Sequence, residues 1–453
     1  MQIQNTMELS KEQQLAFDKY QEGKNIFITG PGGSGKSELI RRIYRHANQN
    51  QKTIHCCALT GCAAVLLNCN AKTLHSWSGV GLCNTEPDAI LTKIRKNKHS
   101  LKLWKTTDVL IVDEVSMMSL KMFETLDQIG KAIRRNNKPF GGIHLIFSGD
   151  FFQLPPVGDI ETCRFCFESS LWNQTFEHQI QLIKIFRQKD EEYASILNQV
   201  REGRIKKSAN ARLESCVGRV RAEDGIVITK LFPTRQKVDL LNRERMDELN
   251  GDELEFKMKL RSDLEGSGGS RRAQFSAKDV EYELLNLSKN LLCDQELKLK
   301  LGAQVMCVVN IASEKGGSLD ICNGSQGIVI GFCSHSQCPI VKYNNGVEQL
   351  MSRHTWLSEK IPGIGVQQVP LILAWALTIH KSQGATLDAA EIDVGSGIFE
   401  CGQTYVALSR VKSLDGLFLT SYDVTKIKIN RKVKEFYSST FEKGGAKSVA
   451  TMC

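Results

Sequence analysis

The sequence predicts an α/β protein of two domains built on parallel sheets, each domain carrying a small insertion. Three observations predict this. Over the first 160 residues short β-branched runs alternate with helical patterns, and the same alternation resumes from about residue 226. Between its later pieces lie short strands punctuated by Asn-Gly turns, as in a small all-β module. A chain of 453 residues is also long for a single hydrophobic core.

In chain order, stretches 25–29, 53–60, 109–114 and 144–150 read as buried strands with helices between them. Around 75–105 the alternation lapses into a small basic insertion. The second α/β pattern occupies 226–234, 374–379, 390–394 and 417–422. Interrupting it, 299–310, 327–332 and 339–351 read as short strands, with Asn323-Gly324 and Asn345-Gly346 as turns. The run Gly266-Ser267-Gly268-Gly269-Ser270 reads as a flexible connection. The expected division is 1–180 for the first domain, 181–300 and 372–453 for the second, and 301–371 for the inserted β domain.

Composition is that of an ordinary globular protein, and no apolar run of about 18 residues exists to span a membrane. The first eight residues have neither an apolar core nor an arginine-rich amphipathic pattern, so an intracellular protein, nuclear or cytoplasmic, is expected. The net charge of +9 is mild, but its carriers cluster. Lys93, Arg95, Lys96, Lys98, Lys102 and Lys105 form one group; Arg134, Arg135 and Lys138 a second; Lys426, Lys428, Arg431, Lys432 and Lys434 a third. Such clusters suit a polyanion, through phosphate neutralisation and counterion release, or are simply solvated helix faces. The 15 cysteines show no disulfide framework, and neither Cys163/Cys166 nor Cys333/Cys338 beside His335 supplies four zinc ligands.

The strand at 25–29 runs into Gly30-Pro31-Gly32-Gly33-Ser34-Gly35-Lys36-Ser37, and a helix follows. This is a phosphate-binding loop in the context that confirms one. Its glycines let backbone N–H groups curl around phosphate oxygens, and the helix N-terminus adds the positive end of its dipole. Lys36 is expected to reach the β- and γ-phosphates of ATP, and the Ser37 hydroxyl to ligate Mg²⁺. The apolar strand 109–112 ends in Asp113-Glu114. Asp113 would share the metal and Glu114 would orient and deprotonate the attacking water. The next strand ends in Gly149-Asp150-Phe151-Phe152-Gln153-Leu154-Pro155-Pro156, where the Gln153 amide can hydrogen-bond the γ-phosphate or that water. Taken alone, this last segment reads as a buried turn closed by prolines.

In this order the motifs resemble superfamily 1 helicases, and among them the PIF family of DNA helicases. Leu9-Ser10-x-Glu12-Gln13 is similar to the family's adenine-reading motif, which implies that Gln13 contacts the base. Thr60-Gly61-x-Ala63-Ala64 and Thr73-Leu74-His75-Ser76-Trp77-Ser78-Gly79 resemble motifs that touch the nucleic-acid strand, with tryptophan where the family more often has phenylalanine. Lys138-Pro139-Phe140-Gly141-Gly142-Ile143 resembles the stretch that sets the family apart from its RecD-like relatives. Ile185-Phe186-Arg187-Gln188 resembles motif IV and the run from Ala376 to Asp388 motif V; Gln403-Thr404-Tyr405-Val406-Ala407-Leu408-Ser409-Arg410 resembles motif VI. The likeness extends from about residue 9 to residue 419 and has the look of a compact core of the kind carried by large DNA viruses and mobile elements.

The resemblance implies two RecA-like P-loop domains, a small insertion in the first and a β-barrel-like insertion in the second. It also implies that Arg187 and Arg410 reach the γ-phosphate from the second domain, and that Gln383 and Gly384 contact ATP. Thr60, His75, Thr378, His380 and Lys381 are implied as strand contacts suited to phosphates rather than bases. Trp77 either stacks a base or is a core aromatic. The alternative for Arg187 taken alone is a surface ion pair. The activity implied is ATP-dependent 5′→3′ translocation on single-stranded DNA with unwinding of tailed or forked duplexes, by a monomer in default of any oligomerisation signal. One alternative is a translocase that remodels protein–DNA or RNA–DNA hybrid substrates. Another is a non-enzymatic nucleic-acid scaffold, which predicts damage to Lys36, Asp113, Glu114, Gln153 or one of the two arginines. A small-molecule P-loop kinase would leave motifs IV to VI without purpose.

Overall fold

The computed structural model describes residues 8–442 except 68, 82, 84, 157, 159–163, 220–227, 263–274, 292, 310, 312–320, 322–323, 359–360 and 362. Cys163, Asn323, the Gly266–Ser270 run and the start of the 226–234 stretch therefore lie outside the described residues. The chain divides into two compact units, Met1–Arg219 with Leu387–Cys453, and Val220–Thr386.

The first unit is built on a six-stranded sheet of β1 (Ile26–Thr29), β2 (Ile54–Ala58), β3 (Lys72–Thr73), β4 (Val109–Asp113), β5 (His144–Ser148) and β6 (His178–Gln181). Their order is β3-β2-β4-β5-β1-β6, with every pair parallel. Strands in such a sheet are covered on both faces, which is why β1, β4 and β5 read as unbroken apolar runs. Alternate side chains serve two cores. Phe27, Leu110, Val112, Leu145 and Phe147 join an aromatic cluster with Phe123, Phe140, Trp172 and Tyr437. Ile26, Ile28, Ile111 and Ile146 instead meet Leu39, Ile40 and Ile43 of the helix Lys36–Gln49. The sheet's amino-terminal edge is fastened by polar side chains: Asn25 Oδ1 accepts from Leu145 N (2.8 Å), Asp108 Oδ2 from Thr53 N (2.8 Å), and His144 bonds Lys24 O (2.7 Å).

The basic insertion folds as two helices, Pro87–Lys96 and Lys98–Thr106. Their apolar side, Ile90, Ile94, Leu103 and Trp104, is buried, while Lys93, Arg95, Lys96, Lys98, Lys102 and Lys105 are exposed. Trp77 is a correction to the strand-contact reading. It is 0% exposed and packs on Trp104 with ring centroids 4.7 Å apart, so no face of the indole is open to a base. Arg134 is likewise structural: its guanidinium donates to the carbonyls of Trp104 (2.8 Å), Thr107 (3.1 Å) and Gly141 (2.8 Å). The Pro139–Gly142 turn that resembles the family-specific stretch clamps the helix Leu120–Arg134. Phe140 N donates to the buried Asp127 (2.9 Å), and Gly141, at φ +68°, lies so close to Gly130 that a Cβ would strike the Gly130 carbonyl.

The second unit contains a five-stranded antiparallel sheet ordered Glu348–Leu350, Pro339–Tyr343, Gln326–Phe332, Gln304–Cys307 and Leu371–Leu373. The Asn345-Gly346 turn joins its first two strands, with Gly346 at φ +84°. A three-stranded sheet combines His354–Leu357, Gly365–Gln368 and Lys259–Arg261. Strands expected of the second α/β domain are present and pair in parallel. Lys230–Phe232 with Ala376–Thr378 lies in the second unit, and Ala390–Val394 with Leu417–Tyr422 in the first. The expected boundary at residue 180 differs from this grouping. Residues 182–188 and 403–411 bond directly to one another and to the phosphate loop, and so cluster with it.

Candidate nucleotide site and nucleic-acid face

The phosphate loop leaves β1 and enters the helix Lys36–Gln49, whose N-cap is Gly35 at φ +85° with no capping side chain. The first amides of that helix are thus left for an outside acceptor. Gly33, at φ +84°, combines two requirements for glycine. Its backbone is left-handed, and a Cβ there would collide with the Arg187 side chain. Lys36 Nζ donates to the Gly30 and Pro31 carbonyls (2.7 and 3.0 Å). The buried Ser34 hydroxyl has no hydrogen-bond partner among the described residues. At this loop that orphan is the mark of a site shaped for phosphate oxygens.

Asp113 ends β4 and is buried; burial pushes its carboxyl up, against the pull of nearby donors and Lys36. Glu114 follows at φ 54° and ψ 40°, a left-handed conformation that a non-glycine residue adopts at a cost of order 1–3 kcal/mol at functional sites. Among the described residues no cluster of three or more His, Cys, Asp or Glu could hold a metal by itself. Ser37 on the loop and the buried Asp113 offer a hydroxyl and one carboxylate, a donor set that would suit Mg²⁺ with phosphates supplying further oxygens.

Arg187 and Arg410 both belong to the unit that holds the loop. Phe186 N and Arg187 N donate to Gly33 O (2.8 and 3.3 Å), which fastens motif IV to the loop by backbone alone. Arg187 Nη1 donates to Ser409 O (3.0 Å), and Arg410 Nη2 to Ser409 Oγ (2.7 Å). The two guanidinium groups therefore share one serine. Burial lowers the pKa of Arg187; burial and then the Arg187 charge push Arg410 down to about 9. Lys36 is lowered by burial too, opposed by Asp150, Glu114 and Asp113. Lys36, Arg187 and Arg410 are thus all driven toward their neutral forms despite the nearby carboxylates, and a polyphosphate would restore the balance in favour of their charge.

Gln153 is buried, and its N–H donates to Asp150 O (2.9 Å). Gly402, opening the helix Gln403–Leu408, packs on the Phe152 and Gln153 carbonyls with no room for a Cβ. Gln13 forms a capping box with Ser10, and its Nε2 donates to Gly35 O (3.3 Å), tying the helix Lys11–Gln21 to the loop. Gln383 and Gly384 lie in the second unit, after the strand Ala376–Thr378. Thr60 and His75 follow the carboxyl ends of the adjacent strands β2 and β3, half-buried. Thr60 Oγ1 also caps its helix by accepting from Ala63 N (3.2 Å). Burial lowers the pKa of His75, which favours the neutral imidazole. Thr378, His380 and Lys381, also half-buried, share one turn of the second unit, where Thr378 Oγ1 accepts from Lys381 N (3.2 Å).

Sequence reasoning missed several members of the site. Tyr405 accepts a hydrogen bond from Gly32 N (2.8 Å); it stood inside motif VI without an assigned role. Asp150, 0% exposed, takes a two-pronged hydrogen bond from Arg201 (2.8 Å twice), whose guanidinium lies 4.4 Å from the Phe152 ring centroid. Tyr437 adds its hydroxyl to Asp150 (3.3 Å) and to Thr29 at the end of β1. No local pattern marks Arg201, an arginine in an amphipathic helix whose partner lies fifty-one positions away.

Residues 8–211 match the PIF1-like helicase family, and residues 283–332 match the 2B domain of DNA helicase Pif1. The ATP-dependent DNA helicase PIF1 of Danio rerio is 35% identical over 435 residues, covering 95% of this chain and 63% of that protein, so the chain spans less than two thirds of that relative's length. The crystal structure of Pif1 helicase from Candida albicans superposes with a TM-score of 0.80 at 35% identity, covering 96% of this chain and all of that one. Pif1 helicase from Bacteroides, crystallised with ADP-AlF3 and single-stranded DNA, gives 0.67 at 26% identity, covering 97% and 99%. With its motifs in order, its site assembled and a 35%-identical structure covered from end to end, the chain belongs to the PIF1-like helicase family.

Proposed function

We propose that the chain is an ATP-hydrolysing motor that travels 5′→3′ along single-stranded DNA and opens duplex DNA ahead of it. The observation that carries this reading is a pair of arginines from distant stretches of sequence, Arg410 buried and Arg187 half-buried, that share Ser409 beside the phosphate loop. A nucleotide-binding scaffold has no use for two cations beside the phosphate loop; a phosphoryl-transfer site does. Lys36 steadies the β- and γ-oxygens and Gln153 reports the state of the γ-phosphate. Glu114 orients the attacking water and accepts its proton, while Arg187 and Arg410 offset the charge that spreads over the transferred group. Ser37 and Asp113 would hold Mg²⁺, which when bound would offset negative charge on the phosphates. The family relatives, one of them crystallised with ADP-AlF3 and single-stranded DNA, support the same assignment.

Thr60, His75, Thr378, His380 and Lys381 serve the strand through its phosphates, so stepping is independent of base sequence. The direction is the one that the resemblance implies. Two partial duplexes, one with a 5′ tail and one with a 3′ tail, test it: ATP-dependent opening of the 5′-tailed substrate alone is expected. Opening of only the 3′-tailed one reverses the direction, and an ATPase rate indifferent to single-stranded DNA rejects the motor. RNA–DNA hybrids and protein-bound DNA belong in the same assay as alternative substrates.

A further inference from the structure

The nucleotide site contains a hydroxyl that none of the expected catalytic groups accounts for. Tyr405 is 2% exposed, and its phenol oxygen accepts the Gly32 N–H at 2.8 Å. The hydroxyl's own proton has no hydrogen-bond acceptor among the described residues. Burying a phenol without an acceptor costs free energy, and families of buried tyrosines usually find a partner. The surroundings indicate which partner would suit it. Gly32 precedes the loop amides that cradle the α- and β-phosphates. Ser409, the serine shared by both arginines, lies against Gly32, at 3.6 Å from the position a Cβ there would take. Tyr405 and Arg410 also lie on consecutive turns of one short segment.

We infer that Tyr405 is a substrate-contacting residue whose hydroxyl donates to an oxygen of the γ-phosphate, so that this segment grips the terminal phosphate through a neutral donor as well as through Arg410. The inference rests on the reading of this loop as an ATP site and adds to it a residue that distinguishes the triphosphate from the diphosphate. Keeping the donor neutral matters. Burial raises the Tyr405 pKa, so the phenol holds its proton wherever the enzyme works and is never a competing anion beside the phosphate.

The test compares the full native chain with Tyr405→Phe, which keeps the ring. Binding of Mg²⁺ with a non-hydrolysable ATP analogue, and separately with ADP, is measured by calorimetry, and melting temperature reports folding. A hydrogen bond to a charged acceptor predicts that analogue affinity falls roughly 10- to 100-fold. ADP affinity should stay within about two-fold, as expected when the lost partner is absent from ADP. Unchanged or tighter analogue binding would overturn the inference, because the hydroxyl would then be a stopper on the Gly32 amide. An equal loss for both nucleotides would also overturn it, by showing only a distorted loop. If the phenylalanine chain does not fold, Tyr405→His retains a ring donor and must keep the preference for the analogue over ADP; losing it sinks the inference. A native chain that binds neither nucleotide rejects the underlying site reading instead.

Discussion

Arg410 sits where a cation is costly, with burial and Arg187 both acting to strip its proton. Binding a polyphosphate reverses that balance, since the anion favours the charged form. The sign follows: ATP binds the protonated guanidinium, so affinity holds below about pH 9 and weakens as pH rises past it, with proton uptake on binding. Lys36, lowered by burial, contributes in the same direction. Calorimetry in buffers of different ionisation enthalpy checks this, and proton release on binding would contradict it. Arg187→Ala is expected to slow turnover by roughly 10³- to 10⁵-fold while leaving ATP binding nearly intact, because its contribution belongs to the transition state. Single-turnover rates beside equilibrium binding separate the two. Arg201 is different in kind. Removing it strands Asp150 as a buried lone charge, so Arg201→Met should cost about 3–5 kcal/mol in urea unfolding. At Trp77, truncation to alanine should cost about 3–5 kcal/mol of stability as a core cavity, with no selective loss of DNA binding by the folded fraction.

At the scale of elements, the turn Pro139–Gly142 shows how a motif can be structural in its details. Gly141→Ala must place a Cβ against Gly130 from a left-handed backbone, costing about 1–3 kcal/mol for the conformation alone before the overlap is counted. Loosening of the helix Leu120–Arg134 should appear in hydrogen exchange of that helix before it appears elsewhere. Elements were legible in the sequence where burial is two-sided. β1, β2, β4 and β5 stood out as apolar runs, whereas β3 has two residues and β6, His-Gln-Ile-Gln, is a half-buried edge strand without an apolar run to betray it. The small strands Leu254–Lys257 and Lys259–Arg261 were hidden for the same reason, being charged and partly exposed. In the site, the loop and the Asp113–Glu114 pair could be named from spacing, and the two arginines from the resemblance of their motifs. Arg201, Tyr405 and Tyr437 could not, because their partners come together only through the fold.

Taken whole, the first unit gathers its chemistry at one rim. Thr29, Ala58, Thr73, Asp113 and Ser148 end five parallel strands, and the loop, Thr60, His75 and Glu114 all follow from those ends. That arrangement is the general one for ligands of parallel sheets. The opposite rim is stitched by Asn25, Asp108 and His144. Damage on the two sides should therefore speak different languages. An alteration at Asn25 or Asp108 would announce itself in how warm the molecule can be kept, leaving each surviving copy a full-speed engine. An alteration beyond β4 would yield a sturdy molecule that idles.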